Sequence, residues 1–238
     1  MKQRPFAVFD IDGTLIRWQL FHAIVHHLGQ EGYILRGTHE RIRAARMTWK
    51  NRITDHGFGE YEQVLVDTFL AVLKDISVED YLHIVDNVVA EYQDQVFTYT
   101  RDLTRSLKER GYLLFAISGS QSEVVERIAQ HHGFDAAVGC EFERAEGRFT
   151  GNFTTPIFDK KAALDHMVEQ WDATYEDSYG IGDSLSDAPL LTATSHPIAF
   201  NPDQKLFAEA KENRWPIVIE RKNVVYELSS TDKGYQLI

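Results

Sequence analysis

The 238-residue chain has one cysteine, Cys140, so an intrachain disulfide and a cysteine-based structural metal site are both excluded. That thiol reads as a small buried hydrophobe. Long apolar runs are missing too: no stretch of about 18 uncharged apolar residues, the length a membrane-spanning helix needs, is present. The few residues before Phe6 do not read as a signal peptide, which makes a cytoplasmic location and no membrane partner the expectation. Basic charge is in deficit, with 25 Lys and Arg against 36 Asp and Glu, and the net charge of −11 argues against a nucleic-acid partner. No internal repeat or low-complexity tract appears. The 43% apolar content is enough for one sizeable core plus a small second domain, or two modest domains.

The informative segment is Phe6-Ala7-Val8-Phe9, which runs straight into Asp10-Ile11-Asp12-Gly13-Thr14. A buried strand that breaks into acids delivers them to its C-terminal mouth, where open α/β sheets place their ligand sites. Two like charges there need a cation. A loop beginning at Asp10 can turn both carboxylates, or one carboxylate and the Asp12 carbonyl, toward a single Mg²⁺. An Asp-Gly turn leaves the same local pattern, so the weight falls on the rest of the chain.

A second apolar run, 112–117, leads into Ser118-Gly119-Ser120, and 121–132 then reads as a helix. Unpaired N–H groups at such a junction, with a hydroxyl and a glycine amide beside them, suit phosphoryl oxygens, although a plain serine N-cap has the same signature. A third run ends in Gly182-Asp183-Ser184-Leu185-Ser186-Asp187. Asp183 can complete a metal site, and Asp187, one helical turn further on, is better placed to orient the site than to bind directly. In Phe158-Asp159-Lys160-Lys161 a lysine near a helix start can neutralise a phosphoaspartate, though most lysines are solvated. Candidate strands at 5–9, 112–117, 136–139, 178–182, 197–199 and 216–219 alternate with helices, which predicts a parallel sheet. Residues 141–153 read as a β-hairpin beside the site, 17–98 as helices with breaks at Gly57 and Gly59, and 222–238 as a loosely held tail.

Taken in order, Asp10-Ile11-Asp12-Gly13-Thr14, Ser118-Gly119, Lys160 and Gly182-Asp183-Ser184-Leu185-Ser186-Asp187 resemble the haloacid dehalogenase superfamily of phosphohydrolases. Gly133-Phe134-Asp135, the hairpin around Gly147 and Asn201-Pro202-Asp203 resemble its phosphoserine-phosphatase-like branch. The resemblance implies an α/β fold: a Rossmann-like, doubly wound parallel sheet formed by 1–16 and 99–238, with an inserted, mainly helical cap domain at 17–98. It implies that Asp10 is the nucleophile that forms an aspartyl-phosphate and that Asp12 is the general acid and base. It further implies that Asp10, the Asp12 carbonyl and Asp183 hold Mg²⁺, that Ser118 and the Gly119 amide hold the phosphoryl group, and that Lys160 screens charge between Asp10 and phosphate. Lys160 is chosen over Lys161 because the branch's K-x-x-x-L spacing fits Lys160 and Leu164.

The expected reaction is therefore Mg²⁺-dependent hydrolysis of a small phosphorylated metabolite. Phosphoserine phosphatases place a glutamate nine residues after the nucleophile to read the substrate's ammonium group, and this chain has Gln19 there, which predicts weak activity on phosphoserine. A phosphotransferase that uses the same phosphoaspartate is the alternative. A phospho-acceptor signalling domain fits less well, because Asp12 favours rapid dephosphorylation and such domains lack an insert of this length. Arg36, Arg41, Arg43, Arg46 and Arg52 suit a second anionic group on the substrate but read more readily as a solvated helix face, and nothing selects between monomer and homodimer.

Overall fold

The computed structural model describes residues 3–54, 56–232 and 234–238. Its elements in chain order are β1 (Arg4–Phe9), α1 (Leu20–Gln30), α2 (Arg36–Lys50), α3 (Gly57–Leu73), α4 (Val78–Tyr92), α5 (Thr98–Glu109), β2 (Leu113–Gln121) and α6 (Ser122–His131). They continue with β3 (Ala136–Ala145), β4 (Arg148–Thr154), α7 (Lys160–Gln170), β5 (Ala173–Gly182), α8 (Ala188–Ala193), β6 (His196–Phe200), α9 (Gln204–Asn213), β7 (Ile217–Arg221), β8 (Val224–Thr231) and β9 (Gly234–Leu237). The chain divides into two compact units, 1–19 with 91–140 and 155–238, and 20–90 with 141–154.

The first unit is a doubly wound α/β sheet in the order β3-β2-β1-β5-β6-β7-β8-β9. Pairing from β3 through β7 is parallel. The central strand β1 shows why: Phe6, Ala7, Val8 and Phe9 are all wholly buried, as a strand covered on both faces must be. Alternation along it sends Phe6 and Val8 into one apolar cluster with Leu164, Leu190 and Leu206, and Ala7 and Phe9 into another with Leu107 and Phe200. Helices α7, α8 and α9 therefore cover one face and α5 the other.

Two expectations are corrected here. Residues 222–238 are not a loose tail: β8 pairs antiparallel with β7, and β9 with β8. The β-branched and aromatic stretch Val224-Val225-Tyr226 was the available signal. Ser118 and Gly119 do not stand at a strand-to-helix junction either, because β2 continues to Gln121 and α6 begins at Ser122. Between Ile117↔Val138 and Gln121↔Cys140 the register shifts, so Ser118-Gly119-Ser120 bulges out of the ladder, a device that re-aims side chains at sheet rims.

The second unit contains α1, α2, α3, most of α4 and the hairpin of β4 with the end of β3. The hairpin groups with these helices and not with the sheet, in contrast to the boundaries drawn from sequence. Val78 donates its N–H to the Gly147 carbonyl, and Phe69 and Tyr81 pack edge-on against Phe142 and Phe149. Residues 91–97 group with the first unit, since Arg17 and Phe97 exchange backbone hydrogen bonds with Gln95 and Leu15. Helix α2 buries no residue, and all five arginines of its region are exposed. Among the described residues no helix is long and apolar enough to cross a membrane.

Candidate active site

The C-terminal ends of β1, β2 and β5 converge in the first unit. Asp10 follows β1 directly and donates its N–H to the Ile181 carbonyl of β5 at 2.9 Å, which ties the two acid-bearing ends together. The chain then turns tightly through Gly13, whose φ of +86° is one that side chains with a Cβ rarely adopt. Space demands glycine there as well: a Cβ would lie 2.1 Å from Asp183 Oδ2. The Gln19 amide nitrogen lies 3.4 Å from that Cβ position, so Gln19 sits beside the acid loop.

Lys160, the first residue of α7, reaches into this cluster with its side chain 2% exposed. Its ammonium donates to Asp10 Oδ1 at 2.7 Å, Asp187 Oδ1 at 2.6 Å and the Ile117 carbonyl at 3.3 Å. Lys161 points away, to Asp165 on the exposed side of the same helix. Asp159 sets the helix start by accepting the Ala162 N–H. The other oxygen of Asp187 accepts the N–H groups of Asp183 and Ser184, at 3.1 and 3.0 Å, and the Ser184 hydroxyl. Ser184 and Asp187 form a reciprocal capping box, so Asp187 also serves as the helix-cap acid that its place in the sequence allows. On the neighbouring strand Ser118 donates its hydroxyl to Asp12 Oδ2 at 2.6 Å and accepts the Ser120 N–H.

The electrostatics of this arrangement are unbalanced. Four carboxylates meet one ammonium, Asp10 and Asp187 buried and Asp12 and Asp183 half-buried. Burial pushes Asp10 up to about 7 against the pull of Lys160, with Asp187 and Asp12 adding to the rise. Burial, then Asp10 and Asp187, push Asp183 well above its ordinary value. For Lys160 burial works to lower the value, yet Asp10 and Asp187 overcome it and hold the ammonium charged. Buried carboxylates in excess of cations are stabilised by a bound cation. Asp10, Asp183 and Asp187 each offer an oxygen, all within 4.8 Å of one another, a hard donor set that fits a small divalent ion.

Residues 7–192 match the model of the haloacid dehalogenase-like hydrolases. The chain belongs to that family. Its place in the phosphoserine-phosphatase-like branch agrees with relatives whose similarity reaches beyond the motifs. A histidinol-phosphatase of Neisseria meningitidis serogroup C is 28% identical over 230 residues, 90% of this chain and 98% of the relative. A phosphoserine phosphatase of Archaeoglobus fulgidus is 24% identical over 208 residues, 86% of this chain, which spans about half (55%) of that longer protein. Among solved structures, a protein of unknown function from Bordetella pertussis Tohama I superposes with a TM-score of 0.73 at 22% identity, covering 92% of this chain and 99% of that one. A phospho-aspartyl intermediate analogue of phosphoserine phosphatase superposes with a TM-score of 0.62 at 20% identity, covering 93% and 96%. These likenesses show the fold. This haloacid dehalogenase-like protein is an enzyme of a hydrolase family, and the relatives it matches are named phosphatases.

Proposed function

We propose that the chain is a Mg²⁺-dependent phosphomonoesterase that hydrolyses a small phosphorylated metabolite through an aspartyl-phosphate on Asp10. The observation that carries this reading is the buried ammonium of Lys160 between Asp10 and Asp187, beside an Asp12 tethered to Ser118. Asp10, the Asp12 carbonyl and Asp183 would hold Mg²⁺, which when bound would neutralise charge on the phosphoryl oxygens. Asp187 is occupied in bracing Lys160 and the Asp183 loop, which suits a supporting role.

In the first step the Asp10 carboxylate attacks phosphorus in line, the bond to the leaving oxygen breaks, and protonated Asp12 gives its proton to that oxygen. In the second step Asp12 takes a proton from water, whose oxygen attacks the phosphoryl group and releases Asp10 as a carboxylate. The Ser118 hydroxyl and Gly119 amide receive phosphoryl oxygens, and Lys160 pulls Asp10 toward its ionised form against the burial that favours its proton. The sheet unit supplies phosphate chemistry alone, so choice among substrates is assigned to the inserted helical unit and to Gln19. The relative matched end to end is named a histidinol-phosphatase, so histidinol phosphate heads the substrate panel, followed by sugar and polyol phosphates and phosphoserine. The test is phosphate release from this panel with Mg²⁺ and with chelator. Turnover that needs Mg²⁺ and disappears in Asp10→Asn is expected; metal-independent turnover, or full activity in that variant, refutes the proposal.

A further inference from the structure

Helix α5 begins without a side-chain cap of its own: Phe97 occupies the N-cap position and offers no acceptor. The acceptor comes instead from Glu220 on β7, a carboxylate in a residue only 7% exposed and over a hundred positions away. Its two oxygens accept the N–H groups of Thr98 and Tyr99 at 3.0 and 2.8 Å, the unpaired donors at the positive end of the helix. From this first turn the wholly buried Thr100 donates its hydroxyl to the Thr14 carbonyl at 2.8 Å, and Phe97 donates its N–H to the Leu15 carbonyl at 3.0 Å. Thr14 and Leu15 close the loop that carries Asp10 and Asp12. On its other side, the Glu220 N–H donates to Asn201 Oδ1 at 2.9 Å. Asn201 stands at φ +43°, a conformation asparagine tolerates better than most residues, and two positions later the Asp203 N–H donates to the Asp183 carbonyl at 2.8 Å.

We infer that Glu220 is a positioning residue for the reaction: it ties the Asp10–Asp12 loop, through α5, to the Asp183 loop, through Asn201 and Asp203. It lies outside residues 7–192, and it touches neither the reacting groups nor the phosphate-holding serine. Misplacement of a reacting group by about 1 Å is enough to slow a reaction about 100-fold, so a partial loosening of this tie lowers kcat by about tenfold. The inference rests on the proposed reading of Asp10 and Asp183, and its test has one arm that does not.

Three variants are compared. Glu220→Gln keeps the shape and removes the charge, Thr100→Val cuts the link to Thr14, and Tyr235→Phe deletes a hydroxyl whose partners are the Ala210 and Trp215 carbonyls and no residue of the Glu220 chain of bonds. The first two lower kcat about tenfold with KM within about twofold, while Tyr235→Phe, at a similar loss of Tm, leaves both constants unchanged. Hydrogen exchange in Glu220→Gln speeds up over 10–17 and 182–186 as well as at the start of α5. If Glu220→Gln loses Tm but keeps kcat, or if its faster exchange stops at 98–101, the inference is overturned. A wild-type chain without phosphatase turnover sinks the proposed reaction and leaves the exchange arm to decide on Glu220.

Discussion

Lys160→Met keeps the bulk of the side chain and removes its charge from a site where three partners depend on it. The ammonium lies 2.7 Å from Asp10 and 2.6 Å from Asp187, and none of the three side chains is more than 7% exposed. Removing one partner of a buried ion pair costs roughly 3–5 kcal/mol, because the remaining charge has neither water nor counter-ion. In a protein of this size that is a fall in Tm of about 10 °C. The deficit depends on pH in a definite direction. Asp10 is raised in the folded state from 3.8 to about 7, so the folded protein holds a proton that the unfolded chain has lost, and metal-free stability falls as pH rises through that window. Without Lys160 the window extends further upward, so the variant's deficit is smaller at pH 5 than at pH 8. For the reaction, losing a preorganised charge at the phosphoryl site costs roughly 100- to 1,000-fold in kcat. Lys161→Met is the control: its exposed pair with Asp165 is worth less than about 1 kcal/mol, and its turnover is unchanged. Calorimetry in chelator at the two pH values and phosphate release with Mg²⁺ read both effects. A Lys160→Met enzyme that keeps wild-type Tm and kcat, or a Lys161→Met enzyme that loses them, refutes the electrostatic argument.

Gly13→Ala forces a Cβ to within 2.1 Å of Asp183 Oδ2 at a φ of +86°, so it lowers stability by at least about 1 kcal/mol and raises the Mg²⁺ concentration needed for half-maximal turnover; an unchanged Mg²⁺ titration counts against Asp183 as a ligand. Asp10→Asn forms no acid-stable label from a radioactive phosphodonor, whereas the wild-type chain is labelled at that residue; label elsewhere rejects Asp10 as nucleophile. In the second unit, burial and then Arg46 lower His22 from 6.5 to about 4. The unfolded chain therefore binds the extra proton first, and stability is lost as pH falls from 6.5 to about 4, by about 3 kcal/mol in all. Urea unfolding of wild type and His22→Phe at pH 7 and pH 4.5 measures this, and equal pH dependence in the two chains rejects it.

The acids at strand ends were legible in the sequence because an apolar run that stops at Asp10, or at Gly182-Asp183, is a local signal. Ser118 and Lys160 were found by the order of motifs, but the reason each matters was not local. Ser118 faces Asp12 because β2 bulges against β3, and Lys160 differs from its neighbour Lys161 because only the first residue of α7 projects into the acids. The sequence marks a hairpin at 141–153 but not the unit it groups with, since nothing in its own residues announces that Phe142 and Phe149 find Phe69 and Tyr81.

What the sequence determined by itself is whatever the chain decides over a few residues: buried strands, helix periods, the acid loops, the absence of disulfides, and through the order of these motifs the family and its fold. What only the tertiary structure decided is the balance of charge and the ties across long loops. The proton affinity of Asp10 depends on burial and on three other side chains, Lys160, Asp187 and Asp12, spread over nearly the whole family match, and the start of α5 depends on a carboxylate from β7. Such terms are set by distance and burial in three dimensions, because Coulomb energy and desolvation depend on spatial separation and on water, neither of which follows from position along the chain.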